Sequence, residues 1–114
     1  SSTSRGLGDV YKRQVITKVN LGLTRPVWTP STADLKLVEL ANDLATQLGQ
    51  PFRHESSGGG SDGNFIGAMG VPTLDGLGVA GDKYHTLEEH IEIDSLAMRG
   101  QMMAGLLMGI DADF

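Results

Sequence analysis

Cysteine is absent from the 114 residues. That excludes a disulfide-stapled mini-protein and any thiolate metal site, since both need the sulfur. It assigns no compartment, because a cysteine-free chain is tolerated in reducing and oxidising surroundings alike. No run approaches the roughly 20 apolar residues of a membrane-spanning helix. Basic side chains are also scarce, with nine Lys and Arg against fourteen Asp and Glu, for a formal charge of −5. An acidic chain of this kind argues against a nucleic-acid partner and against an anionic membrane surface. No internal repeat is visible.

What is present is one domain's worth of polypeptide, 12.1 kDa and 39% hydrophobic, with glycine unevenly placed. Ten of the sixteen glycines fall between positions 49 and 81, so the centre of the chain is where the backbone must turn or approach something closely.

Residues 1–14 read apart from the rest. They carry Arg5, Lys12, Arg13 and one acid, Asp9, with no apolar periodicity and no hydrophobic stretch of secretory-signal length. The string ending Gly8-Asp9-Val10-Tyr11-Lys12-Arg13-Gln14 resembles translated adapter sequence at the edge of a metagenomic reading frame, so residues 1–14 are expected to be a non-native or disordered leader. The remaining hundred residues carry six basic and thirteen acidic side chains, which places the acidity in the domain itself.

From Val15 to Leu21 the chain is rich in β-branched residues and alternates, which predicts a strand ended by Pro26. Ser31-Thr32-Ala33-Asp34 is a capping environment, and Leu37, Ala41, Leu44 and Leu48 follow at helical spacing, closed by Gly49 and Pro51. Residues 52–55 form a short polar strand candidate. The run Gly58-Gly59-Gly60-Ser61-Asp62-Gly63-Asn64 has a linker's composition but enters a short apolar helix over 65–69, with Gly70 placed to cap it. Val71 to Gly78 reads as a short buried strand. Ile91 to Ile93 is extended, and Asp94 or Ser95 caps a last helix whose methionines read as core filling. The order helix, strand, helix, strand, helix implies an α/β class.

Three constellations invite chemistry. Gly58-x-Gly60-x-x-Gly63 followed by Asp82 matches the dinucleotide fingerprint in form, but the preceding segment is polar and Asp62 would set a carboxylate beside a pyrophosphate. Consecutive glycines ahead of a helix suit a less charged anion, such as a substrate carboxylate at the N–H groups of Gly59 and Gly60 and the hydroxyl of Ser61. In that reading Asp62 and Asn64 turn inward to cap the helix or fix the loop. A simple tight turn is the structural alternative. His85 and His90 are five apart around Glu88-Glu89, which matches neither His-Glu-x-x-His nor His-x-x-Glu-His. A self-contained local zinc site is therefore not expected, although His85 follows a glycine-containing loop from which an imidazole can project. His54 and His90 read as exposed or otherwise satisfied. Arg25, restrained by the proline after it, suits a bidentate carboxylate contact.

Taken in order and spacing, Thr24-Arg25-Pro26, Gly58 to Phe65, Gly70-Val71-Pro72-Thr73-Leu74-Asp75-Gly76-Leu77-Gly78 and His85-Thr86 through Leu96 resemble the co-catalytic zinc exopeptidase and deacylase family of glutamate carboxypeptidase, acetylornithine deacetylase, succinyl-diaminopimelate desuccinylase and aminoacylase. The resemblance runs over about residues 15–110 and is closest to the glutamate carboxypeptidase branch. It implies a hydrolase that binds two zinc ions in a catalytic α/β domain, with an inserted lid domain that also serves for homodimer formation. Residues 15–26 would end the lid and residues 27–114 would be the C-terminal segment of the catalytic domain. On the match His85 is a metal ligand, and Arg25 and Gly60 meet a small-molecule or peptide substrate with a free carboxylate. The family's His-x-Asp motif, bridging Asp and Glu-Glu pair have no counterpart in the sequence, and the Glu88-Glu89 pair lies on the wrong side of the ligand His to replace the last of these. One His cannot hold and use the metal, so the isolated chain is expected to be inert. The alternative is a small non-enzymatic module binding an anionic ligand at its glycine-rich loop.

Overall fold

A computed structural model of the chain describes residues 14–111, so nearly all of the leader lies outside the described residues. The first element, α1 (Thr32–Leu48), is built by its ends. Ser31 is in extended conformation and its Oγ accepts the Asp34 N–H at 3.1 Å, while the Asp34 carboxylate accepts the Ser31 N–H at 2.7 Å. This reciprocal box satisfies two donors that the first helical turn would otherwise strand. At the other end Gly49 adopts φ 65° and returns its N–H to the Ala45 and Thr46 carbonyls, and Gln50 bonds to Ala45 as well. That left-handed turn is nearly free for glycine and costs any Cβ-bearing residue about 1 kcal/mol.

Helix α2 (Gly63–Ala68) is a turn and a half that stops at Met69, with Gly70 at φ 84° just beyond. A two-stranded antiparallel ribbon follows, β1 (Gly81–Asp82) and β2 (His90–Ile91), pairing Gly81 with Ile91 and Asp82 with His90. A side chain at Gly81 would collide with the His90 carbonyl, so the ribbon closes only with glycine there. The last helix, α3 (Ser95–Gly109), begins without a side-chain cap from Asp94. Ser95 instead ties it to the ribbon, its hydroxyl donating to the Glu92 carbonyl at 2.6 Å and accepting the Ala80 N–H at 2.9 Å.

The core lies where α1 meets α3. Ala41, Ala45, Met102 and Leu106 are buried together, and Leu40, Leu44, Phe52, Leu74 and Leu77 pack against them. Small residues on α3 set the approach of the helices. A Cβ on Gly105 would lie 3.0 Å from a Leu44 methyl, and one on Gly109 would lie 3.2 Å from a Leu40 methyl.

Several expectations are corrected. The described residues form a mixed α and β structure ordered helix, helix, strand, strand, helix rather than helix, strand, helix, strand, helix. Residues 15–21 form no strand: Val15 and Leu21 are 93% and 97% exposed, and the segment has no backbone partner among the described residues. Alternation specifies which face of a strand is buried, but a strand also needs an edge to pair with. Residues 52–55 and 71–78 likewise carry no ladder, and Val71 is exposed. Along α1 the buried stripe is Leu37, Ala41 and Ala45, and Leu48 is exposed. Only Met102 among the described methionines is buried; Met69, Met98, Met103 and Met108 face outward.

Candidate carboxylate-binding site

Arg25 is brought to the glycine-rich loop by backbone and side chain together. Asn64, the second residue of α2, donates its Nδ2 to the Pro26 carbonyl at 2.9 Å, which fastens residues 25–26 across the helix start. The Arg25 guanidinium pairs with Asp62 at 2.9 Å and lies 5.7 Å from the Phe65 ring centroid. Its aliphatic stem rests on Gly60, where a Cβ would lie 3.0 Å from Arg25 Cδ. Glycine at position 60 therefore makes the space that the arginine occupies. The side chain is about half exposed, so its remaining donors face solvent.

The loop is held from within. Ser57 Oγ accepts the Gly59 N–H, Asn64 Oδ1 accepts the Ser61 N–H and Ser61 Oγ accepts the Gly63 N–H, each at 3.1 Å. Asn64 thus fixes the loop as expected. Asp62 does not: its carboxylate makes no capping bond and turns outward to Arg25. Gly59 N–H is engaged by Ser57 Oγ. Gly60 N–H makes no bond among the described residues, and Ser61 keeps a hydroxyl proton to donate. Arg25 accordingly lies against the loop that carries Gly60 and the half-buried Ser61, so a guanidinium, a free backbone N–H and a hydroxyl occur in one region, donor types that can bind a carboxylate.

Behind it stands a polar cluster that sequence reasoning reached only in part. Asp34 is 3% exposed, and its carboxylate accepts from Ser31 N–H, from Trp28 Nε1 at 3.2 Å and from Thr73 N–H at 2.7 Å. Burial pushes its pKa up, but the hydrogen bonds from Ser31, Thr73 and Trp28 outweigh that and leave it below the ordinary value. The Trp28 ring fills the space over Gly67 of α2 so closely that a Cβ there would overlap it. The capping box of Ser31 and Asp34 was legible; the reach of Asp34 to Thr73, and the contact of Trp28 with Gly67, join residues 39 apart in each case and have no local signal.

His85 sits on the exposed turn between β1 and β2, at φ 65°. Histidine is among the few non-glycine residues enriched in this region. The turn is braced by the Lys83–Glu88 ion pair and by Tyr84 Oη donating to the Gly81 carbonyl at 3.0 Å. The three histidines are not gathered. His54 lies beside Phe52, with ring centroids 6.4 Å apart, and His90 Nδ1 contacts the Glu88 carbonyl. No group of three His, Cys, Asp or Glu able to hold a metal occurs among the described residues, so these side chains do not by themselves fit a zinc ion. No helix among the described residues is long and apolar enough to cross a membrane.

Fold and site together define a small α and β segment in which an arginine is seated on a glycine-rich loop, with a separate histidine-bearing turn and no complete metal centre among the described residues. Comparison with known proteins gives that class a family. The pattern of Peptidase family M20/M25/M40 matches residues 13–109. The chain is 30% identical over 97 residues to Carboxypeptidase G2 of Pseudomonas sp. (strain RS-16), which covers 83% of this chain and 23% of that protein. It is 35% identical over 72 residues to the protein named "Uncharacterized protein YqjE" of Bacillus subtilis (strain 168), covering 63% of this chain and 19% of that protein. The chain belongs to peptidase family M20/M25/M40, a family of metal-dependent hydrolases. It spans about a fifth of the length of these relatives, and no solved structure matches it.

Proposed function

We propose that the chain is the C-terminal part of a zinc-dependent carboxypeptidase or amidohydrolase that cleaves an amide next to a free carboxylate. The observation that carries this reading is the seating of Arg25 on Gly60 beside the Ser61 hydroxyl. Arg25 pairs with the substrate carboxylate through two parallel N–H donors, and Gly60 N–H and Ser61 Oγ hold the adjoining polar atoms. Residues 15–26 are the end of an inserted lid and residues 27–114 the closing part of the catalytic domain. The lid is the surface through which two copies associate.

His85 supplies one imidazole to a metal centre completed by side chains elsewhere in the longer protein. Zinc, when bound there, polarises the scissile carbonyl and acidifies a water. The described residues contribute substrate orientation, not the proton transfers, and the isolated chain is inert. A stand-alone binding module is disfavoured by the large apolar area left open.

The upstream reading frame tests the proposal. It is expected to encode a His-x-Asp motif and a Glu-Glu pair within roughly two hundred residues, part of the two-zinc site to which His85 would add one ligand; their absence refutes it. In the intact protein, Arg25→Ala is expected to raise KM by about 10- to 100-fold, the worth of a charge-assisted hydrogen bond, with kcat changed less. His85→Ala is expected to lower metal content. Full metal and normal turnover in His85→Ala would remove that residue from the centre.

A further inference from the structure

Asp62 carries a charged side chain that the fold of the glycine-rich loop leaves unused. It stands at the N-cap of α2, where an aspartate ordinarily turns its carboxylate back onto the first helical N–H groups. Here it makes no such bond. Those donors are met without it. Ser61 Oγ accepts the Gly63 N–H, the Ser61 carbonyl accepts the Asn64 N–H, and the Asp62 carbonyl accepts the Phe65 N–H. The carboxylate is released outward, 91% exposed, and its one bond among the described residues comes from Arg25 Nη2 at 2.9 Å.

Arg25 does not need this partner to keep its place. Asn64 fastens the backbone beside it through the Pro26 carbonyl, its stem rests on Gly60, and its guanidinium lies 5.7 Å from the Phe65 ring centroid. An ion pair this exposed contributes little to stability. Neither capping α2 nor holding Arg25 therefore accounts for where Asp62 points. Its position does matter to an incoming carboxylate. Both two-donor edges of a guanidinium include Nη2, one with Nε and the other with Nη1. Asp62 takes a donor from one edge and sets a negative charge beside the other, and two carboxylates on one cation repel each other.

We propose that Asp62 is the resident counter-ion of Arg25, displaced when a substrate carboxylate binds, and that it thereby sets the affinity of this site for anions. The inference rests on the reading of Arg25 as the group that receives the substrate carboxylate. In the free protein Asp62 satisfies the guanidinium. On binding, the substrate takes the Nη2 donor and Asp62 turns to water, which costs little because its side chain is already almost wholly solvated. No helix cap breaks in the exchange, and Arg25 keeps its seat on Gly60. A neutral group brings no charge to replace that of Asp62, so the exchange favours carboxylates over uncharged ligands.

Acetate is the probe, titrated into the 114-residue chain at low ionic strength and followed by NMR at the Arg25 Nε–H. In the wild type the side-chain carboxyl carbon of Asp62 is expected to shift over the same acetate range as Arg25. Asp62→Asn is expected to bind acetate about 2- to 5-fold more tightly, the worth of the exposed pair it removes. Asp75→Asn removes the same charge from a side chain that lies beside Gly63 but makes no bond to Arg25, and it is expected to leave the affinity unchanged. Three results overturn the proposal and leave the functional reading standing. They are an Asp62 carbon that stays still while Arg25 saturates, an Asp62→Asn protein that binds acetate no more tightly, and an equal gain in Asp75→Asn, which makes the effect one of net charge. If Asp62→Asn does not fold, the Asp62 carbon of the wild type decides alone. Acetate that never perturbs Arg25, or binding that survives intact in Arg25→Ala, counts against the functional reading and removes the proposal with it.

Discussion

Asp34 does the work of three residues. One carboxylate caps α1, holds the Trp28 indole and fixes the Thr73 backbone, so removing it releases contacts at three places in the chain. Its pKa is lowered, so the charged form is favoured by folding, and the stability it contributes is present above the unfolded value and lost as the pH falls through the folded one. Thermal unfolding of the wild type is therefore expected to be insensitive to pH from 7 to 5 and to weaken below about pH 4, the ordinary range of aspartate. Asp34→Asn is expected to be about 1–3 kcal/mol less stable at pH 7 and to show a flatter acid limb. Equal acid limbs in the two proteins would show that another carboxylate governs the transition. Trp28 and Gly67 give a second residue-scale outcome. The Trp28 indole lies directly over the backbone of Gly67, and Gly67→Ala sets a methyl into the ring. It is expected to cost about 1–3 kcal/mol despite the gain in helix propensity, and to shift the fluorescence of Trp28, the single tryptophan.

The elements differ in how far their causes are local, and that decides which were legible. Helix α1 carries its instructions at its ends, Ser31 and Asp34 at one and Gly49 at the other, and its span is read directly from them. Arg25 and the glycine loop were legible as separate candidates, but their contact depends on Asn64 reaching Pro26 across 38 residues, which no window along the chain contains. The segment 71–78 failed for the opposite reason. Its pattern is that of a strand, and the partner that would realise the pattern is missing from the described residues. Helix α3 is apolar nearly all round, so its sequence marks a helix without saying which face is buried; only Met102 and Leu106 among its large side chains are. The packing of α3 on α1 can be probed at Gly105. A methyl there meets the ends of the flexible Leu44 side chain at 3.0 and 3.2 Å, and moving such an end aside costs about as much as the helix propensity gains. Gly105→Ala is therefore expected to be within about 0.5 kcal/mol of neutral, the roughly 1 kcal/mol of helix propensity gained offsetting the repacking. A loss as large as that of Gly67→Ala would mean that Leu44 is as rigidly held as Trp28.

At the scale of the whole molecule, surface is the dominant fact. The accessible area is 9563 Å², whereas a compact monomer of this mass exposes about 6,000 Å² and its unfolded chain about 17,500 Å². The radius of gyration of 22.9 Å agrees, being well above the roughly 13 Å of a compact 100-residue domain. Folding of this chain alone therefore removes from water only about two-thirds of the area that a compact domain of equal length would remove. Denaturant sensitivity and heat capacity of unfolding both scale with that area. The urea m-value of the isolated 114-residue chain is expected to be about two-thirds of the value usual for its length, with a proportionately small ΔCp. Leu96, Leu107 and Met108, exposed along α3, give a surface that is expected to bind hydrophobic dyes and to associate as concentration rises. If the isolated chain instead unfolds with the m-value of a compact domain while remaining monomeric, the open arrangement of its elements is wrong, and the proposal that the chain is inert apart from the rest of a longer enzyme loses its physical basis together with it.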